Sequence, residues 1–141
     1  MALMVLGLGS NCGDRRASVE AALRWLSTVL SGMQASPLYE TPPVRTPSHP
    51  SGWSSDYVNC VAAGDYDGSA RDLQLLAKEY ERSHGRDMEC RRAGKVPIDI
   101  DVVVAGGEVL RPYDYKASFF RIGLEGLEAR GLLLCQDLEA R

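Results

Sequence analysis

The 141 residues include 16 Lys and Arg against 19 Asp and Glu, a net charge of −3, and 45% of them are hydrophobic. This length suffices for one globular domain with its own core. The slight negative charge and the lack of a basic face argue against nucleic acid as a partner, and no apolar run is long enough to span a membrane.

The cysteines indicate a reducing environment. Cys12, Cys60, Cys90 and Cys135 form neither a C-x-x-C pair nor a zinc-ligand spacing. Reduced thiols are the simplest account, which predicts a cytoplasmic protein. The apolar residues 1–8 lack a basic leader and a cleavage site, so we predict no signal peptide.

The first third of the chain predicts a strand, a helix and a second strand. Residues 2–9 form a short apolar run typical of a buried strand. Asp14 is placed to N-cap a helix whose apolar residues recur at helical spacing, with Gly32 just past its end. Residues 34–40 predict the second strand, which the prolines at 42–43 close.

A long polar segment separates the second and third strands. Residues 44–55 are rich in Pro, Ser, Thr and Gly, which predicts a mobile loop. His49 and Trp53 are interpreted as surface residues of this loop. Residues 55–63 alternate weakly and predict the third strand.

The second helix leads into a cationic loop. Ser69 begins a capping box, and apolar residues then repeat at helical spacing up to His84, which we interpret as a helix-end residue. Residues 85–94 lack apolar periodicity and predict a flexible loop. The cations of the loop and of the position after it are Arg86, Arg91, Arg92 and Lys95.

The next strand carries two carboxylates among branched apolar residues. Side chains two apart share a face, so Asp99 and Asp101 should stand side by side, while Ile98, Ile100 and Val102 face the core. Carboxylates this close call for a counter-cation, and Mg²⁺ is usually held by one or two carboxylates plus substrate phosphates. The preceding loop cations would bind further phosphate oxygens. The alternative is an edge strand with a solvated acidic face.

The remaining chain completes the prediction of the fold. Residues 105–108 predict a turn, 109–110 a short strand and 113–124 an aromatic-rich connection, and residues 127–141 could form a terminal helix. The order strand, helix, strand, strand, helix, strand predicts an α+β, ferredoxin-like βαββαβ fold, an antiparallel sheet with both helices on one face. We expect residues 1–141 to form a single domain.

Several motifs occur in one order along the chain, up to about Phe120. They are Gly9, Ser10 and Asn11 with Gly13 and Asp14, residues 39–43, Tyr57 to Asn59, Glu81 with Gly85 and Arg86, and Asp99 to Asp101. Together they resemble the 6-hydroxymethyl-7,8-dihydropterin pyrophosphokinases of folate biosynthesis, and the ordered set is far more specific than any one motif.

The resemblance implies transfer of pyrophosphate from ATP to the hydroxymethyl oxygen of a reduced pterin, with two Mg²⁺ ions. It implies that Asp99 and Asp101 bind the metals and are catalytic together with Arg86. We expect Lys95 to join them, by supplying the charge of a family arginine that this chain lacks. The implied pterin-binding residues are Thr41, Pro42, Val44, Tyr57, Asn59 and Phe120, with the ring stacked between Tyr57 and Phe120. The implied nucleotide-binding residues are Glu81, Arg86, Arg91, Arg92, Ile100 and Tyr113.

Departures from the family pattern leave two hypotheses open. Val96 and Ser118 stand where family members carry arginines, and the candidate replacements are Lys95, Arg111, Lys116 and Arg121. One hypothesis is an active, divergent pyrophosphokinase. The other is a pterin- or nucleotide-binding relative with weak or no activity. A dinucleotide-binding turn at residues 7–13 is disfavoured because the glycine spacing is not G-x-G-x-x-G. The sequence specifies no protein partner.

Overall fold

A computed structural model describes residues 1–42, 56–85 and 93–131. The strands are β1 (Ala2–Ser10), β2 (Ser31–Ala35), β3 (Tyr39–Thr41), β4 (Tyr57–Tyr66), β5 (Asp99–Ala105) and β6 (Glu108–Val109). The helices are α1 (Arg15–Val29), α2 (Ala70–Ser83), α3 (Pro112–Lys116) and α4 (Ser118–Ala129). Among these described helices, none has the length and apolar character needed to cross a membrane.

The described strands form one antiparallel sheet. Its order is β2-β4-β1-β5-β6, and β3 also pairs with β4. The central strand β1 is apolar and largely buried, as expected of a strand covered on both faces. The predicted α+β class with an antiparallel sheet is confirmed.

The single second strand predicted over residues 34–40 is wrong, because the structure has β2 and β3 instead. Between them, Ser36 still contacts β4: its backbone N–H donates to the Val61 carbonyl, and its Oγ accepts from the Val61 N–H over 3.0 Å. Pro37 follows and has no amide hydrogen to continue the ladder. The proline therefore interrupts an otherwise continuous edge strand.

Two apolar clusters cover the two faces of the sheet. On one face, Leu26 of α1 and Leu73 of α2 are buried against Leu6 of β1, so the two predicted helices share a face as expected. On the other face lie Val5 of β1 and the buried α4 residues. Those α4 residues are Phe120, Leu124 and Leu127.

The aromatic-rich connection predicted over residues 113–124 is wrong, because these residues lie in α3 and α4. Phe120, Leu124 and Leu127 follow the i, i+4, i+7 spacing of a helix face, a signal that the aromatic composition obscured. Of the terminal helix predicted from Leu127 onwards, residues 127–129 close α4, and residues 132–141 lie outside the described residues.

Both predicted helix starts are confirmed. The Asp14 carboxylate accepts from the Ala17 N–H and the Ser69 hydroxyl accepts from the Asp72 N–H, each over 3.1 Å. At the end of α2, His84 is the C-cap residue, as interpreted. These signals are reliable because each depends on only a few neighbouring residues.

The other local predictions differ by small amounts. The strand predicted over residues 55–63 is β4, which continues to Tyr66, and the strand predicted over 109–110 is β6, one residue earlier. Cys12 and Cys60 are reduced thiols, as predicted. Cys90, Cys135, His49 and Trp53 lie outside the described residues.

Candidate active site

Two glycines of β1 form the floor of a cavity of about 230 Å³. A Cβ at Gly9 would lie 3.0 Å from Asn59 Oδ1 and 3.3 Å from Tyr57 Cδ2. A Cβ at Gly7, two residues earlier on the same face, would lie 3.4 Å from Phe120 Cδ1. The cavity therefore exists because β1 carries no side chain at Gly7 and Gly9.

The sheet register puts an amide and a carboxylate on opposite sides of Gly9. Gly9 is paired with Asn59 on β4 and with Asp99 on β5, while Gly7 is paired with Asp101. Neighbouring strands lie about 4.8 Å apart, so Asn59 and Asp99 are separated by roughly 10 Å across the floor. A small molecule on this floor can contact an amide at one end and carboxylates at the other.

The amide side of the cavity is polar at its edge and aromatic at its walls. Asn59 is buried and its side-chain nitrogen donates a hydrogen bond to Thr41 Oγ1. Tyr57 and Phe120 line the cavity beside the two glycines. Aromatic faces around a fixed amide suit a flat heterocycle with donors and acceptors on its rim.

On the carboxylate side, helix α2 covers the open edge of β5. Gln74 donates to the Ile100 carbonyl over 3.0 Å and accepts from the Val102 N–H over 2.8 Å. Glu81 Oε2 accepts from the Ile100 N–H over 2.8 Å. These bonds satisfy backbone groups that β6, which pairs only with the end of β5, does not reach.

A lysine of α2 lies among the carboxylates. Lys78 Nζ is 3.3 Å from Glu81 Oε2, 3.4 Å from Asp101 Oδ1 and 3.8 Å from Asp99 Oδ1. Arg111 Nη1 approaches Asp101 Oδ1 to 3.9 Å from the other direction. Among the described side chains, Lys78 and Arg111 therefore approach the Asp101 carboxylate from different directions.

These cations only partly offset the negative charge. Burial and the neighbouring Asp99 carboxylate raise the pKa of Asp101 to about 7, although Lys78 and Arg111 act to lower it. A carboxyl group with a pKa this far above its usual range is typical of a functional site. The Asp99 and Asp101 carboxylates are therefore electrostatically coupled.

The donor set fits a hard divalent cation such as Mg²⁺. Within residues 1–42, 56–85 and 93–131, no cluster of three or more His, Cys, Asp or Glu side chains is arranged to hold a metal ion. Two adjacent carboxylates nevertheless match the Mg²⁺ sites that complete their coordination with water and substrate phosphates. A bound divalent cation would offset the mutual repulsion of the Asp99 and Asp101 carboxylates.

The structure brings most of the predicted site residues into this one cavity. Those that line it are Thr41, Pro42, Tyr57, Asn59, Asp99, Asp101, Tyr113 and Phe120. As the alternation of β5 predicts, Asp99 and Asp101 share the face that lines the cavity, whereas Ile98, Ile100 and Val102 are buried in the core on the opposite face. The predicted residues Val44, Arg86, Arg91 and Arg92 lie outside the described residues.

Three predicted residues that the structure describes do not line the cavity. Glu81 accepts a hydrogen bond from the backbone N–H of Ile100 in β5. Lys95 is exposed in the segment before β5. Asn11 fixes this segment by donating to the Gly94 carbonyl over 2.9 Å and accepting from the Val96 N–H.

Of the candidate replacement cations, Arg111 lies in the cavity. It lines the cavity and forms an ion pair with Asp114 over 2.5 Å. Arg121 lies over the ring of Tyr115, 5.0 Å from its centroid. Lys116 is exposed on α3.

The sequence reasoning missed Gln74 and Lys78. Gln74, Lys78 and Glu81 lie on one face of α2, at positions i, i+4 and i+7. This face of the helix lies along β5. That spacing is visible in the sequence, but a polar stripe on a helix commonly faces solvent, so only the packing of α2 against β5 shows its role. The sequence analysis also did not predict that Gly7 and Gly9 form the floor of a cavity, because that role depends on the side chains of the neighbouring strands and of α4.

Comparisons with known proteins point to one family. A family model described as 7,8-dihydro-6-hydroxymethylpterin-pyrophosphokinase (HPPK) matches residues 5–129. The match includes all the described side chains that line the cavity.

Individual relatives agree with this match. A folate synthesis bifunctional protein of Chlamydia muridarum is 34% identical over 104 residues, which are 73% of this chain and 23% of that protein. A 2-amino-4-hydroxy-6-hydroxymethyldihydropteridine pyrophosphokinase of Porphyromonas gingivalis is 34% identical, over 74% of this chain and 69% of its own. The Aquifex aeolicus protein of the same name is 30% identical, over 85% and 76%. The chain thus spans about a quarter of the length of the bifunctional relatives.

Proposed function

Because the chain belongs to the 7,8-dihydro-6-hydroxymethylpterin-pyrophosphokinase family, we propose that it transfers pyrophosphate from ATP to the hydroxymethyl group of 6-hydroxymethyl-7,8-dihydropterin, in folate biosynthesis. One observation carries the proposal: Asn59, Gly9 and Asp99 lie in a row across three strands. This row offers an amide for the pterin edge, space for its ring, and carboxylates for a metal-bound triphosphate.

The proposed pterin site lies over the glycine floor. The ring would stack between Tyr57 and Phe120, and its polar edge would meet Asn59 and Thr41, which already hydrogen-bond each other. Pro42 and Val44 would complete the site through the backbone. In this orientation the hydroxymethyl group points from β4 towards β5, and so towards the reacting phosphate.

The proposed metal ligands are Asp99 and Asp101, which would hold two Mg²⁺ ions. When bound, these ions neutralise phosphate charge and favour attack at phosphorus. Residues of this chain do the positioning: Gln74 and Glu81 fix the backbone of β5, and Arg111 stands beside Asp101. Catalysis of this kind depends mainly on alignment and charge stabilisation.

The proposed nucleotide site lies on the β5 side of the cavity. Tyr113 lines the cavity there, and Glu81 and Ile100 stand at its border. Arg86, Arg91, Arg92 and Lys95 are proposed to bind phosphate oxygens. In the transfer, the hydroxymethyl oxygen forms a bond to the β-phosphorus of ATP. The bond from this phosphorus to the bridging oxygen of the α-phosphate breaks, AMP leaves, and the hydroxyl proton passes to solvent.

The proposal extends to the fold type, the domain organisation, the location and the partners of the protein. We interpret the strand order and the shared face of α1 and α2 as ferredoxin-like, and the chain as a single domain. A cytosolic location is proposed from the cysteine spacing. The partners would be the small molecules ATP and reduced pterin.

A second candidate function is pterin binding with weak or no turnover. Val96 and Ser118 favour it, because each stands where family members carry a cation, and Arg111 is the candidate replacement that lines the cavity. Under this hypothesis the pterin side of the cavity is intact while triphosphate alignment is poor.

The deciding experiment follows AMP formation by the purified protein with Mg²⁺, ATP and 6-hydroxymethyl-7,8-dihydropterin. We expect AMP to appear only when the pterin is present, and to be lost in Asp99→Ala. Pterin binding by calorimetry without any AMP would reject the enzyme in favour of the binding relative. Absence of both binding and AMP would reject both functions.

A further inference from the structure

Lys78 is held in a fixed place along the open edge of β5. One turn before it, Gln74 bonds the backbone of Ile100 and Val102, and almost one turn after it, Glu81 bonds Ile100 again. Residues at i, i+4 and i+7 lie on one side of a helix. The backbone of Lys78 is therefore clamped from both sides, and only its flexible side chain is left to move.

The Lys78 ammonium contacts carboxylates without being locked to any of them. Its distances to Glu81, Asp101 and Asp99 are 3.3, 3.4 and 3.8 Å, whereas strong charge-assisted hydrogen bonds measure about 2.7–2.9 Å. The Lys78 side chain is 39% exposed, and that of Glu81 only 3%. The ammonium thus stands at the boundary between a partly buried anionic cluster and solvent.

A divalent cation and this ammonium compete for the same oxygens. An ion bound by Asp99 and Asp101 would repel the Lys78 charge across a few ångströms. Triphosphate oxygens brought to the same place would attract that charge. Lysine suits such an exchange because its charge sits on a long stem with several rotatable bonds.

We propose that Lys78 is a mobile counter-ion, which contacts the carboxylate pair in the absence of a divalent cation and shifts to the nucleotide phosphates when the cation and nucleotide bind. The proposal rests on the proposed function. A mobile counter-ion at Lys78 gives the protein a low affinity for divalent cations when nucleotide is absent and a higher affinity when nucleotide is bound. Lys78 would also supply triphosphate charge where Val96 and Ser118 supply none.

The test compares two affinities in Lys78→Met and in a matched control. Without nucleotide, Mn²⁺ binding measured by electron paramagnetic resonance should be about tenfold tighter in Lys78→Met than in the unmodified protein. With saturating Mn²⁺, the affinity for a non-hydrolysable ATP analogue, measured by calorimetry, should be weaker by about threefold or more. The two affinities should therefore move in opposite directions.

Arg71→Met is the control for loss of one positive charge from the same helix. Arg71 is exposed and stands seven residues before Lys78, about 10 Å along the helix axis. At physiological salt that separation exceeds the screening length of about 8 Å, so both affinities should stay within about twofold. Lys78→Arg keeps the charge and should restore most of both affinities.

Several outcomes would overturn the proposal. Mn²⁺ affinity unchanged or weakened in Lys78→Met means that the ammonium does not compete for the carboxylates. If the affinities for Mn²⁺ and for the ATP analogue weaken together, Lys78 supports the fold and is not a mobile counter-ion. Thermal unfolding would then give a lower Tm in both Lys78→Met and Lys78→Gln. Neither measurement needs turnover, so failure here is distinguishable from failure to form AMP, which tests the proposed function alone.

Discussion

The hydroxyl of Tyr39 donates a hydrogen bond to the backbone carbonyl of Phe119 over 2.6 Å. Tyr39 begins β3, the strand that ends at Thr41, and Phe119 precedes Phe120 in the first turn of α4. The bond therefore ties the polar edge of the cavity to its aromatic wall. Burial raises the pKa of the Tyr39 hydroxyl, so it remains a donor at all physiological pH values.

We predict that Tyr39→Phe weakens pterin binding by a few-fold and lowers the free energy of unfolding by about 1 kcal/mol, the typical contribution of one hydrogen bond. The affinity for an ATP analogue should not change, because α2 and β5 are untouched. Calorimetry with each ligand and urea unfolding provide the measurements. Equal loss of both affinities would show that the bond serves the fold as a whole.

The close approach of α4 to the sheet depends on Gly123. A Cβ there would lie 2.5 Å from Val61 Cγ2 and 2.8 Å from the Tyr39 hydroxyl. We expect Gly123→Ala to lower the free energy of unfolding by about 1–3 kcal/mol through overpacking. Gly126 is the matched control, since a Cβ there meets nothing within 4 Å. Gly126→Ala should stabilise by about 0.5–1 kcal/mol, and a similar sign for both substitutions in urea unfolding would contradict the geometry.

The two floor glycines should differ in their effect on pterin binding. A methyl group at Gly9 meets Asn59 Oδ1 at 3.0 Å and projects into the proposed ring position, whereas one at Gly7 meets Phe120 at an ordinary 3.4 Å. We predict that Gly9→Ala reduces pterin affinity at least about tenfold, a loss of about 1.4 kcal/mol, and more than Gly7→Ala does. The measurement is calorimetric titration with the pterin. A larger loss in Gly7→Ala would place the ring nearer to Asp101.

Without divalent cations, stability should fall as pH rises from about 4 to about 7. The pKa of Asp101 is raised to about 7 by burial and by Asp99, so the folded protein holds a proton that the unfolded chain has released above about 4. Fewer protons are then bound in the unfolded state, and the free energy of unfolding decreases with pH. Lys78 and Arg111 oppose this effect without cancelling it.

Asp101→Asn should remove most of this slope and make the protein more stable than the unmodified chain above pH 7. Urea unfolding in a chelator at a series of pH values measures it. Glu108→Gln, an exposed carboxyl group on β6, provides a control in which the slope should persist. A slope unchanged in Asp101→Asn would assign it to another group.

Asn11 should stabilise the segment that carries Lys95. Its side chain is buried and bonds both the Gly94 carbonyl, over 2.9 Å, and the Val96 N–H. Asn11→Ala leaves both backbone groups without these partners, so we expect a loss of about 2–4 kcal/mol in the free energy of unfolding. Asn11→Asp keeps the acceptor and should lose less. Equal losses by urea unfolding would mean that the bond to Gly94 carries the whole effect.

Local patterns in the sequence determined the elements that depend on a few neighbours. The caps at Asp14 and Ser69, the buried strand β1 and the shared face of Asp99 and Asp101 follow from side-chain hydrogen bonds and from the two-residue period of a strand. The family resemblance, which used several ordered motifs at once, identified residues that the structure gathers into one cavity.

Tertiary structure alone decided how these elements meet. Sheet register, which joins residues far apart in the chain, placed Gly9 between Asn59 and Asp99. Packing decided that α2 covers the edge of β5 and brings Lys78 to the carboxylates, and that α4 covers the second face. No local period specifies these contacts, because their free energy arises only when the partner surfaces are buried together.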